Sequence, residues 1–388
     1  LVNNISGITS EEERKRYSQT LMNRLIFVKF LITKNIIQTD VLEYISKQPK
    51  DSLNEKLNKF FFQVMNKEER LNLDDEFKGI PYLNGSLFRQ TEIEEKHPNL
   101  QVEAQILRKI INFLDSFDFE GSEDKGQNNA LDPEILGYIF ERAMNDAERK
   151  KSGAYYTPRE ITEFLAEENI HPLIIERANK ILKERNYKEE ELLEDIDDLF
   201  TKVNTPTLQN IMINVVAEIN ICDNACGSGA FLLSAADVLF DLWERAIGQG
   251  AIKKSRSDVR KLIIRDNLYG IDINPNAVEI AKLRMWLWIA DTYDPKTVEP
   301  LPNIDYNIIS GNSLLGYGDV EKLLEESDLS DYELTKNAVK DNLDMRNRLL
   351  EEYKAAKGSE ARKLSERIDE IDENLNTLLN NKMQSNLN

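Results

Sequence analysis

Asp223, Asp272 and Asn312 each stand at or just past the end of a short apolar run, and this repeated placement is where chemistry can be read. The first run is INICDNACGSGAF, residues 219–231: an apolar segment, an acid, then small residues around Gly227 and Gly229. Glycines at that spacing allow a turn and the close approach of a ligand to the backbone. A phosphate loop would continue with Lys-Ser/Thr, and a dinucleotide fingerprint would have a third glycine. Ala230-Phe231-Leu232 follows instead, with Leu232 where that glycine would stand. An acid directly before the loop repels a pyrophosphate and suits a ligand carrying positive charge. S-adenosylmethionine has a sulfonium and an amino group, and its ribose hydroxyls suit an acid at the next strand end, Asp272 in YGIDIN. Asn312 in GNSLL has an amide that can both donate to and accept from an adenine edge. Singly, Asp223 is a turn former, Asp272 favours a helix N-terminus, and Gly311-Asn312 is a common turn. Their occurrence at three consecutive strand ends is what argues for a site.

The elements that must hold these residues follow from the pattern around them. INIC (219–222), LYGIDI (268–273) and YNIIS (306–310) read as strands. SAADVLFDLWERA (234–246) and NPNAVEIAKLRMWLWIA, with Pro275 near its start, read as helices. Strand and helix alternating in this order imply parallel pairing, with ligands at the carboxyl ends of the strands. Residues 1–148 read as mostly helical: Ser10 and Glu13 form a capping box, and Asp132-Pro133-Glu134 opens another helix. Thr157-Pro158-x-Glu160 reads as a capped helix start, and residues 174–216 as charged and helical, ending near Thr205-Pro206. Leu364, Ile368, Ile371, Leu375 and Leu378 follow 4-3-4-3 spacing, which predicts an antiparallel helical hairpin in the tail.

The chain of 388 residues has a net charge of −19, which argues against a whole surface built to grip phosphates. Two basic stretches stand out, KKSRSDVRKLIIR (253–265) and RKKSGAYYTPR (149–159); each is either a solvated face or a contact for nucleic acid. Two cysteines, Cys222 and Cys226, and two histidines, His97 and His171, exclude a disulfide framework and fit no zinc site. No metal is expected. No apolar run reaches a membrane span and the first residues lack a signal-peptide layout, so a cytoplasmic protein without a membrane partner is expected. The first residue is Leu, and the chain is expected to be part of something longer.

DNACGSGAF resembles the D-P-A-C-G-S-G-x-F motif of amino-group DNA methyltransferases, GAYYTP the motif before it, and YGIDINP and GNSLL the next two. NRLIFVKFLITKNI, PYLNGSLF and LDPEILGYIFERAM are similar to the helical segment before the methylase domain of type IIG restriction–modification enzymes and related adenine-specific methyltransferases. The similarity spans about residues 20–318. It implies an α/β fold: a large helical N-terminal domain (1–148), part of a Rossmann-like methyltransferase domain that binds S-adenosylmethionine (149–318), and a helical hairpin or insertion arm (319–388). It implies that Asp223, Ala225, Gly227 and Gly229 hold the methionine end and that Tyr155, Tyr156 and Thr157 close over it. Asp272 would then bind the ribose, with Ile273 against the adenine ring and Asn312 at the adenine amino group. Asn224 and Asn312 depart from the usual Pro and Asp.

The family's catalytic Asn-Pro-Pro-Tyr/Phe, which receives a flipped base, is absent; Asn274-Pro275-Asn276 is the nearest string. No catalytic residue is therefore expected, and weak cofactor binding without methyl transfer is. Double-stranded DNA is the partner implied for the parent enzyme. A strand INIC lacking a neighbour would have an open edge, met by self-association or by the helical tail. The alternatives are a methyltransferase acting on protein glutamine and a non-enzymatic DNA- or protein-binding assembly module. A nicotinamide oxidoreductase fails on the missing glycine, and Glu76-Phe77-Lys78 lacks the strand context of a nuclease.

Overall fold

The computed structural model describes residues 1–68, 70, 73–83, 86–116, 157–314 and 332–387. They form two compact units, Leu1–Gly311 and Asn312–Asn388. In chain order the first unit carries β1 (Ile5–Ser6), α1 (Glu11–Thr33), α2 (Val41–Ser46), α3 (Lys50–Lys59), α4 (Glu92–Lys96), β2 (Gln101–Val102), α5 (Ala104–Leu114), α6 (Arg159–Glu184), α7 (Asp198–Thr201), α8 (Thr205–Ile211), β3 (Ile221–Asp223), α9 (Ala230–Gly248), α10 (Arg256–Leu262), β4 (Leu268–Asp272), α11 (Pro275–Ala290) and β5 (Ile308–Ser310). The architecture is mixed helix and sheet, with helix dominant.

Ser10 caps α1, its Oγ accepting the Glu13 N–H at 3.3 Å. The expected box is half made, because the Glu13 carboxylate pairs with Lys96 and His97 instead. Behind α1 the core is aromatic, with Phe27, Phe60, Phe61, Phe77 and Phe88 all buried. Arg24 sits inside it at 1% exposure. Its guanidinium pairs with Glu94 at 2.6 Å and donates to the Leu87 and Arg89 carbonyls, so the buried charge is compensated at every edge. α1 packs on α11, and Lys34 bridges to Asp291 at 2.8 Å. The N-terminal helix thereby braces the helix that follows β4.

The three-stranded sheet runs β3-β4-β5, all parallel. Ile221 pairs with Leu268 and Asp223 with Gly270, while Asp272 pairs with Ser310. The outer edge of β3 has no strand partner among the described residues. α11 is buried over most of its length, including Trp286, which together with Trp243 of α9 is among the largest fully buried side chains. Gly270 leaves no room: a Cβ there would lie 2.8 Å from Leu232 Cδ1, 3.0 Å from Cys226 Sγ and 3.1 Å from Ile308 Cδ1. A Gly270→Ala chain is therefore expected to lose roughly 1–2 kcal/mol, the low end of overpacking costs because the Leu232 tip can swing aside. Urea unfolding measures it.

Several expected boundaries move. α9 starts at Ala230 rather than 234, because left-handed Gly229 (φ 82°) is its N-cap. Pro158, not Thr157, is the N-cap of α6. Thr205-Pro206 opens a helix instead of ending one, since Asn204 Oδ1 accepts the Thr207 N–H at 3.0 Å. The helix expected from Asp132 lies outside the described residues.

In the second unit α12 (Tyr332–Ala355) and α13 (Gly358–Leu387) form the expected hairpin. Val339 packs with Leu375 and Leu379, and Arg346 pairs with Asp372, so the two helices run antiparallel. Gly358 takes φ 53° at the turn, a value that suits glycine.

Candidate functional site

The strand ends converge on one loop. Asp223 closes β3, and its Oδ1 accepts the Ala225 N–H at 3.0 Å. Asp272 closes β4; its Oδ2 accepts the Gly227 N–H at 2.8 Å and its Oδ1 the Asn274 N–H at 2.8 Å. Two carboxylates from neighbouring strands thus hold the same turn, residues 224–229. Burial pushes the Asp223 carboxyl above the ordinary carboxylate range; the Ala225 N–H works against that shift and the charge of Asp272 adds to it. The Cys226 thiol is pushed up to about 12, first by burial and then by the same two acids. Cys226 is buried and Cys222 exposed.

The two glycines do different work. Gly229 (φ 82°) is pressed from below: a Cβ there would lie 3.1 Å from Ala281 Cβ and 3.5 Å from Ala281 Cα on α11. Gly227 (φ 51°) has the opposite surroundings, and a Cβ there would meet nothing within 4 Å among the described residues. Gly229 is needed by the protein's own packing; Gly227 leaves an open approach to its backbone. Beyond the loop, the Gly311 N–H donates to the Asp272 carbonyl at 2.9 Å, so the end of β5 adjoins that of β4.

The remaining expected residues divide. Ala225 is exposed beside Asp223. Ile273 projects outward at 63% exposure. Thr157 is half-buried, two residues before Arg159, whose guanidinium bonds Asp237 at 3.2 Å. Thr162 and Ser234 share a hydrogen bond of 2.6 Å. These ties hold the start of α6 on α9, the helix that the glycine loop begins. Tyr155 and Tyr156 lie outside the described residues. Asn312 belongs to the second unit, where its Oδ1 accepts the Leu314 N–H at 3.0 Å.

Two further groups were not among the expected ones. Arg284, from α11, donates from Nη1 to the Ser228 carbonyl at 2.8 Å beneath the loop. Asp237 accepts from Trp288 Nε1 at 2.7 Å as well as from Arg159. The signal for Arg284 was a cation in the apolar run LRMWLWIA (283–290); nothing local marked Asp237.

The basic run 253–265 is largely neutralised within the fold. Arg256 pairs with Glu244, Arg260 with Asp291, Lys261 with Glu299 and Arg265 with Asp266. Arg260 is also buried against Phe240 and Trp288. A solvated and paired helix face describes this stretch better than a phosphate-gripping one. Among the described residues no cluster of His, Cys, Asp and Glu could hold a metal ion, and no helix is long and apolar enough to cross a membrane.

Three family models match the chain: a domain of unknown function (DUF7814) over residues 9–105, the MmeI DNA-methyltransferase domain over 199–300, and the Eco57I restriction-modification methylase over 266–386. A putative type II restriction enzyme and methyltransferase of Methanocaldococcus jannaschii is 35% identical over 338 residues, covering 80% of this chain and 28% of the relative. DNA methyltransferase A of Bacillus subtilis is 25% identical, covering 71% of this chain and 28% of its own length. The chain thus spans less than a third of either curated relative. The solved structure of the type IIL restriction–modification enzyme MmeI in complex with DNA aligns with a TM-score of 0.53 at 20% identity, over 76% of this chain and 37% of that one. That likeness is one of fold. By its matched methylase models and these relatives, the chain is similar to type II restriction–modification methyltransferases.

Proposed function

We propose that the chain is the cofactor-binding part of an S-adenosylmethionine-dependent DNA adenine-N6 methyltransferase of a restriction–modification system. The observation that carries this reading is the pair Asp223 and Asp272, which reach one glycine turn from adjacent strand ends. The residues present fit the cofactor. Gly227 offers backbone with no side chain and an open approach, and the two acids suit a ligand bearing an ammonium at one end and hydroxyls at the other. Each carboxylate oxygen can accept more than one hydrogen bond, so Asp272 can hold the turn and still receive ribose hydroxyls. In this reading Ala225, Gly227, Gly229 and Asp223 take the methionine end, Thr157 closes over it, and Ile273 lies against the adenine ring. When bound, the cofactor supplies a methyl activated by its sulfonium. In this reading residues 149–318 bind cofactor within a Rossmann-like half-sheet, residues 1–148 brace it, and residues 319–388 form an arm.

Calorimetric titration with S-adenosylhomocysteine and with NAD tests the reading. S-adenosylhomocysteine binds and NAD does not; heat from NAD alone would overturn it. No Asn-Pro-Pro-aromatic string occurs in the 388 residues, and we assign no catalytic residue here. These residues alone are expected to give no tritiated-methyl incorporation into mixed-sequence DNA. The ion pairs of Arg256, Arg260, Lys261 and Arg265 argue against this stretch as the DNA contact in our reading. The open edge of β3 is the surface we assign to self-association, and a concentration-independent monomer mass in light scattering would remove that assignment.

A further inference from the structure

We infer that Arg284 is a positioning residue that locks the glycine loop in its ligand-receiving form; this rests on reading that loop as a cofactor cradle. Arg284 is 2% exposed, on the buried helix α11. Its Nη1 donates to the Ser228 carbonyl at 2.8 Å and lies 3.4 Å from Ser228 Oγ. Ser228 is itself buried and stands between two glycines in left-handed conformations, φ 51° and 82°.

Glycine visits left- and right-handed backbone with nearly equal ease, so this turn has little local reason to keep its shape. The peptide plane joining Ser228 to Gly229 shows what selects it. Its N–H donates to the Cys226 carbonyl at 2.8 Å. Its carbonyl receives the Arg284 guanidinium. Both polar ends of one plane are held, and the plane cannot flip without breaking both bonds. Asp272 fixes the Cys226–Gly227 plane, two before it, through the Gly227 N–H, and Ala281, one helical turn from Arg284, presses on Gly229. A cradle clamped from the strand side and from the helix side is present before any ligand arrives. Losing the helix-side clamp lowers the competent fraction of the loop, and apparent affinity falls by the same factor.

The test uses Arg284→Met and Arg284→Lys in the 388-residue chain, with three readouts: thermal midpoint, S-adenosylhomocysteine affinity, and amide hydrogen exchange without ligand. In Arg284→Met, exchange at Gly229 rises about tenfold over that of core amides in α1, and affinity falls about tenfold. Lysine, which keeps the charge with one compact donor group, brings affinity back to within roughly threefold of the unmodified chain. A purely structural role would lower the midpoint and raise exchange throughout, leaving affinity of the folded protein unchanged. A folded Arg284→Met chain with unchanged Gly229 exchange and affinity overturns the inference. Should that variant not fold, the unmodified chain decides: a Gly229 amide that exchanges in it at the rate of an unprotected amide shows no clamp and overturns the inference. If the unmodified chain binds no S-adenosylhomocysteine, the cofactor reading fails by itself, and the exchange comparison still decides the clamp.

Discussion

An Asp223→Asn chain binds S-adenosylhomocysteine about 10- to 100-fold more weakly than the unmodified chain, the scale of one lost charge-assisted hydrogen bond. It melts no lower at pH 7. The two halves of this result separate function from folding. Asn keeps an Oδ1 that accepts the Ala225 N–H, so the turn survives the change. What is lost is a negative charge that burial and Asp272 make costly to hold. Because the folded-state pKa of Asp223 lies above its unfolded value, folding favours the protonated acid. That contribution is complete below the unfolded value, about 4 for an aspartate, and is lost as pH rises through the raised one. At pH 7 the unmodified chain bears the whole penalty, and Asn relieves it. The stability advantage of the variant therefore shrinks on acidification and is gone near pH 4. Ligand binding runs the other way. The ammonium group of S-adenosylhomocysteine is best met by ionised Asp223, so affinity falls on acidification at a higher pH than an ordinary aspartate would impose, and this dependence disappears in the Asn chain. Calorimetry from pH 5 to 8 alongside thermal melts reads both; an Asn variant that binds as well as the unmodified chain sinks the reading of Asp223 as a ligand contact.

Alanine at the two loop glycines separates the same properties from the opposite direction. Gly229→Ala meets both a left-handed backbone, about 1–2 kcal/mol for an L-residue, and the Ala281 methyl at 3.1 Å. With overpacking added, the loss of stability is roughly 2–4 kcal/mol. Gly227→Ala bears only the backbone strain, about 1–2 kcal/mol, since its Cβ meets no atom of the described residues within 4 Å. Its methyl instead stands where the proposed ligand approaches, and affinity drops about tenfold or more, a loss of at least about 1.4 kcal/mol. Denaturant unfolding and calorimetry on the pair give a crossed pattern. Equal stability losses in the two variants, with equal affinities, would refute the division of labour.

Much of the site was legible because its signals are local. A strand, an acid, a glycine turn and a helix occupy consecutive residues, so Asp223, Gly227, Gly229 and Asp272 could be placed without knowing the rest of the chain. The start of α9 was misplaced by four residues because its N-cap is a left-handed glycine whose side chain makes no capping bond, leaving nothing for a capping rule to detect. Thr205-Pro206 reads as a helix end because proline removes an interior helical N–H, whereas here Pro206 sits in the first turn behind the Asn204 cap, where that N–H has no helical partner to lose. The basic run 253–265 could not be resolved from sequence, because Glu244, Asp291 and Glu299 reach it only through the fold. Arg284 and Asp237 were missed for the same reason: their partners lie 56 and 51–78 positions away.

The contrast between the two cysteines has a practical consequence. Thiolate is the reacting form, and Cys226 is both enclosed and held protonated, with its pKa near 12. Cys222 faces solvent on β3, one residue from Asp223. Maleimide dyes should therefore attach at Cys222 alone, without mutagenesis, giving an environment-sensitive fluorophore beside the glycine turn that reports nucleoside titration optically.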